Sequence, residues 1–586
     1  MILQALANYY DRMTKEGTTG IAQEGFEQKE IPFLIILSSH GKFVDFQDTR
    51  EGEGKKKRGR LFTVPKGTKK TSGIAANLLW DTPNYVFGYP KSASNKDSAA
   101  LFKRAKEQQQ CFINTIKERF AEPLRDKGIS SVVTFLESHD YTAAFSHSLW
   151  SEIQESGANL TFKSEGENNL VCQNPAVVAV LTGGETPSES GKQQICLVSG
   201  EANIPVRLHT AIKGVRGAQT SGANIVSFNL DAFQSYGKDQ GLNAPVGRKA
   251  EFAYTTALNK LLARESRQKL QVGDATNVFW AEKKHKIENV FADIFGESAK
   301  GEPEQDYKSL IALLRSPETG AKTELDPNTR FYVLGLAPNA ARIAVRYWYT
   351  GTVGSIADNI GQHFDDLEMV KGTKEWRRIT LKSLLRSTAF DEKDDRISPN
   401  LAGDMMKSIL TGTPYPKTLL AAAIRRCRAE HEITYTRAAL IKAVLWRETR
   451  FYKRNEKEVG MSLDTANTNP GYLLGRLFAV LEKIQEEASP SINATIRDRF
   501  YGSASGTPVT AFPHLMKLKN YHLAKLENRG RAVNLEKQIG EIVDKLEAGN
   551  SFPPHLNLAD QGRFAVGYYH QRQAFFTKKD EKIKEI

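Results

Sequence analysis

Eight cations stand between Gly54 and Thr71, in KKKRGRLFTVPKGTKK: Lys55, Lys56, Lys57, Arg58, Arg60, Lys66, Lys69 and Lys70, with no acidic side chain among them. The chemistry open to such a run is ionic contact with a polyanion. Each Lys or Arg set on a phosphate releases condensed counterions, which supplies most sequence-independent affinity for nucleic acid. Most charge runs are merely solvated loops. This one continues into KKTSGIAANLLWDTPNYVFGY, where Thr71, Ser72 and Asn77 are small polar groups and Trp80, Tyr85, Phe87 and Tyr89 are rings. Cations position a ligand, whereas polar side chains and rings can read it.

A second polar stretch is IKGVRGAQTSGANIVSFNLDAFQSYGKDQGLNAPVG, residues 212–247. Gly214, Gly217 and Gly222 allow close approach of backbone N–H groups to an anion, and Lys213, Arg216, Gln219, Thr220 and Ser221 place donors among them. Asn224, Asn229, Gln234, Tyr236 and Asn243 continue the theme. A nucleic-acid surface and a set of tight turns around a buried sheet both fit. Near Phe331 an apolar strand is followed by one carrying Arg342 and Arg346, whose rings Tyr347, Trp348 and Tyr349 suit a core as well as a stacking platform.

Enzyme signatures fail at their decisive positions. Gly54-x-x-x-x-Gly59 is followed by Arg60-Leu61, not by the Lys and hydroxyl residue that hold phosphate and Mg²⁺. Gly502-Ser-Ala-Ser-Gly506 has Ala where a nucleophile elbow needs Ser. His139-Asp140 has only His147 nearby, too few ligands for a metal-dependent phosphohydrolase. No catalytic residue, metal or cofactor is expected.

The elements that must position these residues change character along the chain. IPFLIIL (31–37), the turn Ser38–Gly41 and the run Phe43 to Phe46 spell a hairpin. Strand-like runs recur at 175–181, 195–199, 224–229, 331–336 and 342–349, and helical periodicity at 1–13, 99–122 and 250–270. Beyond Trp376 apolar residues recur at helical spacing in 378–389, 400–410, 416–429, 434–452, 471–487, 510–527, 533–547 and 559–575. The expected loops between them are 464–470, 489–490, 502–508 and 550–554. The fold class is therefore α+β: a mixed α/β domain over 1–370, a basic helical segment over 371–460 and a helical bundle over 461–586.

Charge follows a similar division. Residues 1–370 carry a net +1 although the basic run supplies +8 of it, 371–460 carry +9 and 461–586 carry +3. The middle segment is rich in arginine (Arg425, Arg426, Arg428, Arg437, Arg447, Arg450, Arg454), so two basic footprints are expected, as in a protein gripping two nucleic-acid segments. Cys111, Cys172, Cys196 and Cys427 show neither zinc spacing nor a disulfide framework. No basic leader precedes the first helix and no apolar run approaches a membrane span. A bacterial cytoplasmic protein is expected.

Several long blocks, in order, resemble one family: MILQALANYYDR, TSGIAANLLWDTPNYVFGY, IKGVRGAQTSGANIVSFNLDAFQSYGKDQGLNAPV, YVLGLAPNAARIAVRYW, NLAGDMMKSILTGTPYP and SINATIRDRFYGSASGTP. They are similar to the large subunit of the type I-C CRISPR Cascade complex, over nearly the whole chain. The resemblance implies a non-catalytic subunit of a crRNA-guided complex that recognises the protospacer-adjacent motif (PAM) in target double-stranded DNA and promotes duplex opening and R-loop formation. Its implied partners are crRNA, backbone and crRNA-processing subunits, and a helicase-nuclease recruited in trans. The implied division of labour leaves target sequence to base pairing and a short flanking duplex to protein.

On side-chain chemistry, Lys55 to Arg60 suit the phosphate grip and Lys69, Lys70, Thr71, Ser72 and Asn77 the reading of base edges. Lys213, Arg216, Gln219, Thr220, Ser221 and Asn224 form the alternative reading surface. Arg425, Arg426 and Arg450 are expected along a displaced or target strand. The resemblance also implies a small helical subunit translated from within the gene, for which Met461 is the expected start. The rival classes are a metal-dependent nuclease and a free-standing nucleic-acid-binding protein.

Overall fold

The computed structural model describes residues 1–576 except 19, 53–56, 69, 71–72, 92–97, 121–125, 184–191, 296–325, 373–378 and 456–457. Its fold is α+β, mixed in the N-terminal part and helical toward the C terminus. The chain divides into two compact units, one of residues 1–210 with 226–260 and one of residues 211–225 with 261–586.

In the first unit α1 (Ile2–Lys15) turns Ala5, Leu6, Tyr9 and Met13 inward, the amphipathic face its sequence announces. Strand β1 (Phe26–Ile31) pairs antiparallel with β4 (Arg60–Pro65), and β2 (Phe33–Leu37) forms the expected hairpin with β3 (Phe43–Asp48). The turn closes by Gly41 N–H donating to the Ser38 carbonyl at 3.0 Å. Gly41 has φ +73, and a Cβ there would meet the Ser131 carbonyl oxygen at 2.7 Å, so only glycine fits. Strands β5 (Trp80–Asp81) and β6 (Leu160–Ser164) complete a sheet of order β3-β2-β6-β5, with β2 parallel to β6. A parallel pair needs a long crossover. Here it is filled by α2 (Pro83–Val86), α3 (Ser98–Arg119), α4 (Lys127–Ser138), α5 (Thr142–Phe145) and α6 (Trp150–Ser156). Phe112, Ile116, Val132 and Phe135 from α3 and α4 pack on Phe33, Ile35 and Phe162 of the sheet.

Two expected strands are absent in this region. Residues 175–181 lie in a helix, α7 (Pro175–Gly183), because a short, wholly apolar run has no periodicity to separate strand from buried helix. Pro175 opens the helix and Val178 N–H bonds back to the Asn174 carbonyl at 2.9 Å. Residues 224–229 contribute only a single parallel bridge, Asn224 with Arg342. At 195–199 the strand is two residues long, β7 (Gln194–Ile195), paired with β8 (Ala202–Asn203). The helix expected over 250–270 is α8 (Arg248–Leu262).

The second unit holds an antiparallel sheet of β9 (Lys269–Val272), β10 (Ala275–Ala281), β11 (Arg330–Asn339) and β12 (Arg342–Thr352), in the order β12-β11-β10-β9. Helix α9 (Ile287–Phe295) covers it through Phe291. Then come α10 (Val353–Leu367), α11 (Leu381–Ser387), α12 (Leu401–Thr411), α13 (Lys417–Glu430), α14 (Tyr435–Phe451), α15 (Pro470–Ala488), α16 (Ile496–Gly506), α17 (Pro508–Lys525), α18 (Arg529–Val543) and α19 (Leu558–Ala574). One continuous core runs from Phe279 and Phe331 of the sheet through Ile356, Met405 and Leu440 to Phe478 and Phe564. The compact units therefore do not separate near residue 370: the sheet shares its apolar core with the helices that follow.

Helix α16 occupies part of the loop expected at 502–508. Thr495 caps it in a capping box with Asp498, and this start signal outweighs two glycines that read as breaks. Helices α15 and α19 form the tightest pair. A Cβ on Gly475 would overlap the Phe564 carbonyl oxygen, and one on Gly567 the Tyr472 carbonyl oxygen. Glu482, fully buried between them, accepts from Tyr568 and from Thr495, and Arg572 stands 3.7 Å away.

Gly475→Ala should destabilise the protein by roughly 1–3 kcal/mol, since two backbones must move apart to admit the methyl group. Gly502→Ala, in helix α16 with nothing within 4 Å of the new Cβ, should be neutral or stabilising by up to about 1 kcal/mol. Urea unfolding of both variants checks the pair, and equal effects would refute the close-packing account.

Candidate nucleic-acid interface

The basic run enters β4 by a backbone pair in which Glu51 and Arg58 exchange hydrogen bonds of 2.9 and 3.1 Å. Lys55, Lys56, Lys69, Thr71 and Ser72 lie outside the described residues. Lys57, Arg58 and Arg60 are exposed, Arg58 with Glu30 at 3.7 Å and Arg60 beside the Phe62 ring. The long strand pair β1/β4 thus delivers three cations to solvent at one end.

Further along, the run turns inward. Asp81, 1 % exposed, receives Lys70 Nζ on both oxygens at 2.8 and 2.7 Å, Asn77 N–H at 2.9 Å and Thr82 N–H at 2.8 Å. Lys70 also lies 3.7 Å from the centre of the Tyr85 ring. The Asn77 side chain is 6 % exposed, and its Oδ1 accepts from Thr68 N–H at 2.9 Å. Asn77 and Lys70, expected to read bases, instead brace their own loop. A buried carboxylate needs such compensation, and Asp81 was the sequence signal for it. Lys66 is partly committed too, donating to Thr210 Oγ1 at 3.0 Å.

The 212–223 segment is a closed loop of the second unit. Ile212 and Ala223 exchange both backbone hydrogen bonds at 2.9 Å. The loop is pinned by Arg216 N–H to Thr276 Oγ1 at 3.1 Å, and Asn224 docks on β12 through Ile343 N–H at 2.9 Å. Gly214, at φ +91, lies where a Cβ would come within 2.5 Å of the Leu262 carbonyl oxygen. This clamped base holds Lys213, Arg216, Gln219, Thr220 and Ser221 in solvent. Among the described residues the side chains of Arg216, Gln219, Thr220 and Ser221 make no hydrogen bond or ion pair. Asn224 sits half-buried at the base. The tight turns expected of this stretch are present on a sheet edge, and they carry an exposed polar tip.

The arginines sort by burial. Arg450 holds both oxygens of Asp366 at 2.8 Å, which raises its affinity for its proton and consumes its charge locally. Arg447 and Arg437 are 1 % exposed, Arg447 on Asp366 and the Ser408 carbonyl, Arg437 on Glu430 and the Ser387 carbonyl. Arg426 is 3.5 Å from Glu430 and packs over Phe390. Only part of the segment's charge therefore faces outward. Arg425 and Arg428 line an open groove of about 520 Å³ with Ile424, Gly502, Leu558 and Gln561. Neither has a carboxylate partner among the described residues. Arg428 belongs to this surface as much as Arg425 does, an i, i+3 pairing legible in the helix pattern.

The His139-Asp140 pair is a helix joint: His139 ends α4 at φ +49 and Asp140 accepts from Thr142 N–H and Oγ1 at the start of α5. Among the described residues no group of three or more His, Cys, Asp or Glu side chains is placed to hold a metal ion, and no helix is long and apolar enough to cross a membrane. A family model described as CRISPR-associated protein (Cas_Csd1) matches residues 6–576. No curated protein matches the chain.

Asn77→Ala should lower stability by about 1 kcal/mol or more, since Thr68 N–H loses its acceptor in a partly buried site. Gln219→Ala should change it by less than about 0.5 kcal/mol. Thermal melting of the isolated chain separates bracing from surface roles, and the reverse ranking would overturn the assignment.

Proposed function

Because the chain belongs to the Cas_Csd1 family of CRISPR-associated proteins, we propose that it is the non-catalytic large subunit of a type I-C crRNA-guided complex. In this reading it recognises the PAM in target double-stranded DNA, promotes duplex opening and R-loop formation, and supports recruitment of a helicase-nuclease. The observation that carries the reading is the 212–223 loop. A fixed base presents a cation, Arg216, beside three exposed polar side chains, Gln219, Thr220 and Ser221, that no described residue engages. That is the equipment for holding a phosphate and probing an adjacent base edge. Lys57, Arg58 and Arg60 supply a second grip on the backbone, with Lys55 and Lys56 beside them in sequence.

In this account Arg425 and Arg428 touch a strand of displaced or target DNA, and Arg450 supports them only by holding its helix in place. The partners are crRNA, backbone and crRNA-processing subunits, and small subunits made from an internal start at Met461. Met461 is half exposed just ahead of α15. A 461–586 product would keep the α15/α19 pair and the Glu482 network. It would lose Glu458, on which Arg563 places two hydrogen bonds of 3.0 and 2.8 Å, while Asp560 at 2.8 Å still pairs with Arg563.

Replacing Lys57, Arg58 and Arg60 with Ala should weaken duplex binding by the assembled complex for every flanking sequence. The slope of log affinity against log salt should shrink by about 0.9 for each phosphate that is no longer neutralised. Gln219→Ala or Ser221→Ala should instead alter discrimination among flanking sequences, by about 1–3 kcal/mol for each base edge no longer read, and leave binding to a preopened bubble unchanged. Equal weakening on both substrates would defeat the reading role.

The codons of Lys457-Glu458-Val459-Gly460 can spell a purine-rich ribosome-binding site ahead of Met461. Synonymous recoding of 457–460 should abolish a small C-terminal polypeptide while full-length protein persists. Absence of that polypeptide from the unaltered gene would end the internal-start proposal.

A further inference from the structure

Tyr236 is the most exposed large hydrophobic side chain of the described residues, at 98 %. Its backbone is as unusual as its exposure. Tyr236 has φ +55 and Gly237 φ +65, and Lys238 N–H donates to the Ser235 carbonyl at 3.0 Å, the pattern of a two-residue type I′ turn. Asn or Gly normally fills the first central position, because a bulky side chain is strained at positive φ.

The turn is braced from below. Asn243 Oδ1 accepts from Ser235 N–H at 3.0 Å, and its Nδ2 donates to the Lys238 and Gln240 carbonyls at 2.8 and 3.0 Å. One side chain thus fixes both arms of the turn. The base is fixed in its own right, by Gly241 N–H to the Arg207 carbonyl at 3.1 Å and Arg207 Nε to Gln240 Oε1 at 2.9 Å. Among the described residues the Tyr236 ring has no ring partner and its hydroxyl no hydrogen bond. A strained residue held rigidly in solvent, with nothing among the described residues to reward it, points to a ligand outside.

The chemistry of that ligand follows from the surroundings. A protein-docking anchor is normally the centre of an apolar patch. Here the residues next to the ring, Gln234, Ser235, Gly237, Lys238 and Asp239, are polar or without a side chain, and the exposed Leu230 and Phe233 belong to the separate turn before them. A single flat ring among polar groups, with a lysine two residues on, suits an unpaired nucleobase stacked on the ring and its phosphate near the ammonium group. We propose that Tyr236 is a stacking platform for a base freed when the duplex opens, with Asn243 as the positioning residue that presets the turn. This rests on the function proposed above and assigns within it a residue that reads neither sequence nor charge.

The test uses the assembled crRNA complex and a matched target duplex carrying 2-aminopurine in the pairs beside the flanking motif. Tyr236→Asn removes the ring and suits the turn better, so its melting temperature should equal or exceed the wild type's. Stacking on one base predicts a drop of about 5- to 150-fold in the equilibrium for opening, read by fluorescence. Tyr236→Phe and Tyr236→Trp should retain opening, and Asn243→Ala should lose part of it. Opening by Tyr236→Asn at the wild-type level would overturn the proposal. So would failure of that variant to assemble with the other subunits, which would identify a protein interface. A wild-type complex that assembles yet neither binds nor opens matched duplex would instead refute the underlying function.

Discussion

Asp366 is the carboxylate on which the basic helices depend. Buried at the end of α10, it holds Arg447 at 3.1 Å and Arg450 at 2.8 Å, while its own carbonyl accepts from the buried Lys442 at 2.9 Å. Burial depresses the Lys442 ammonium to about 8, against the pull of Asp366 and its acidic neighbours. A guanidinium as deep as Arg447 persists only with a partner, and removing that partner typically costs about 3–5 kcal/mol. The join between α10 and α14 is therefore as much electrostatic as apolar.

The same rule accounts for several other cations. Lys70 answers Asp81, Arg437 answers Glu430 and Arg563 answers Glu458, each pair closed over a buried or half-buried acid. In the basic segments described above, Lys57 and Arg60 beyond the β1/β4 pair, Arg216 on the clamped loop, and Arg425 with Arg428 on α13 have no carboxylate partner among the described residues. What the fold does not neutralise is the better guide to an interface than the count of basic residues.

This also explains what the sequence could and could not show. The hairpin at 31–46, helix α1 and most C-terminal helices were legible because one apolar face repeated at a fixed period. The uniform run 175–181 had no period, and the glycines of α16 read as punctuation although a capped helix ran through them. The net +9 of residues 371–460 was misleading for a different reason. Its boundary fell just after Asp358, Asp365, Asp366 and Glu368, so a window that isolated the arginines also removed the acid that neutralises two of them. Ion pairs are long-range in sequence, and no local count contains them.

The least legible feature was the path of the chain. Residues 211–225 belong to the second unit although the sequence on either side builds the first. A glycine-rich stretch ordinarily reads as a connection, and here it supplies the rigid, exposed tip. Three glycines at positive φ let the segment bend onto the sheet edge at Asn224 and Arg342 while its polar side chains stay in solvent. Flexibility in the sequence has become fixity in the fold, because backbone groups of Arg216 and Asn224, beside these glycines, are taken up by Thr276, Ala341 and Ile343. A recognition loop gains affinity when its ordering is completed before the ligand arrives. The excursion between units is therefore how this chain builds a preorganised surface from residues that would otherwise be a linker.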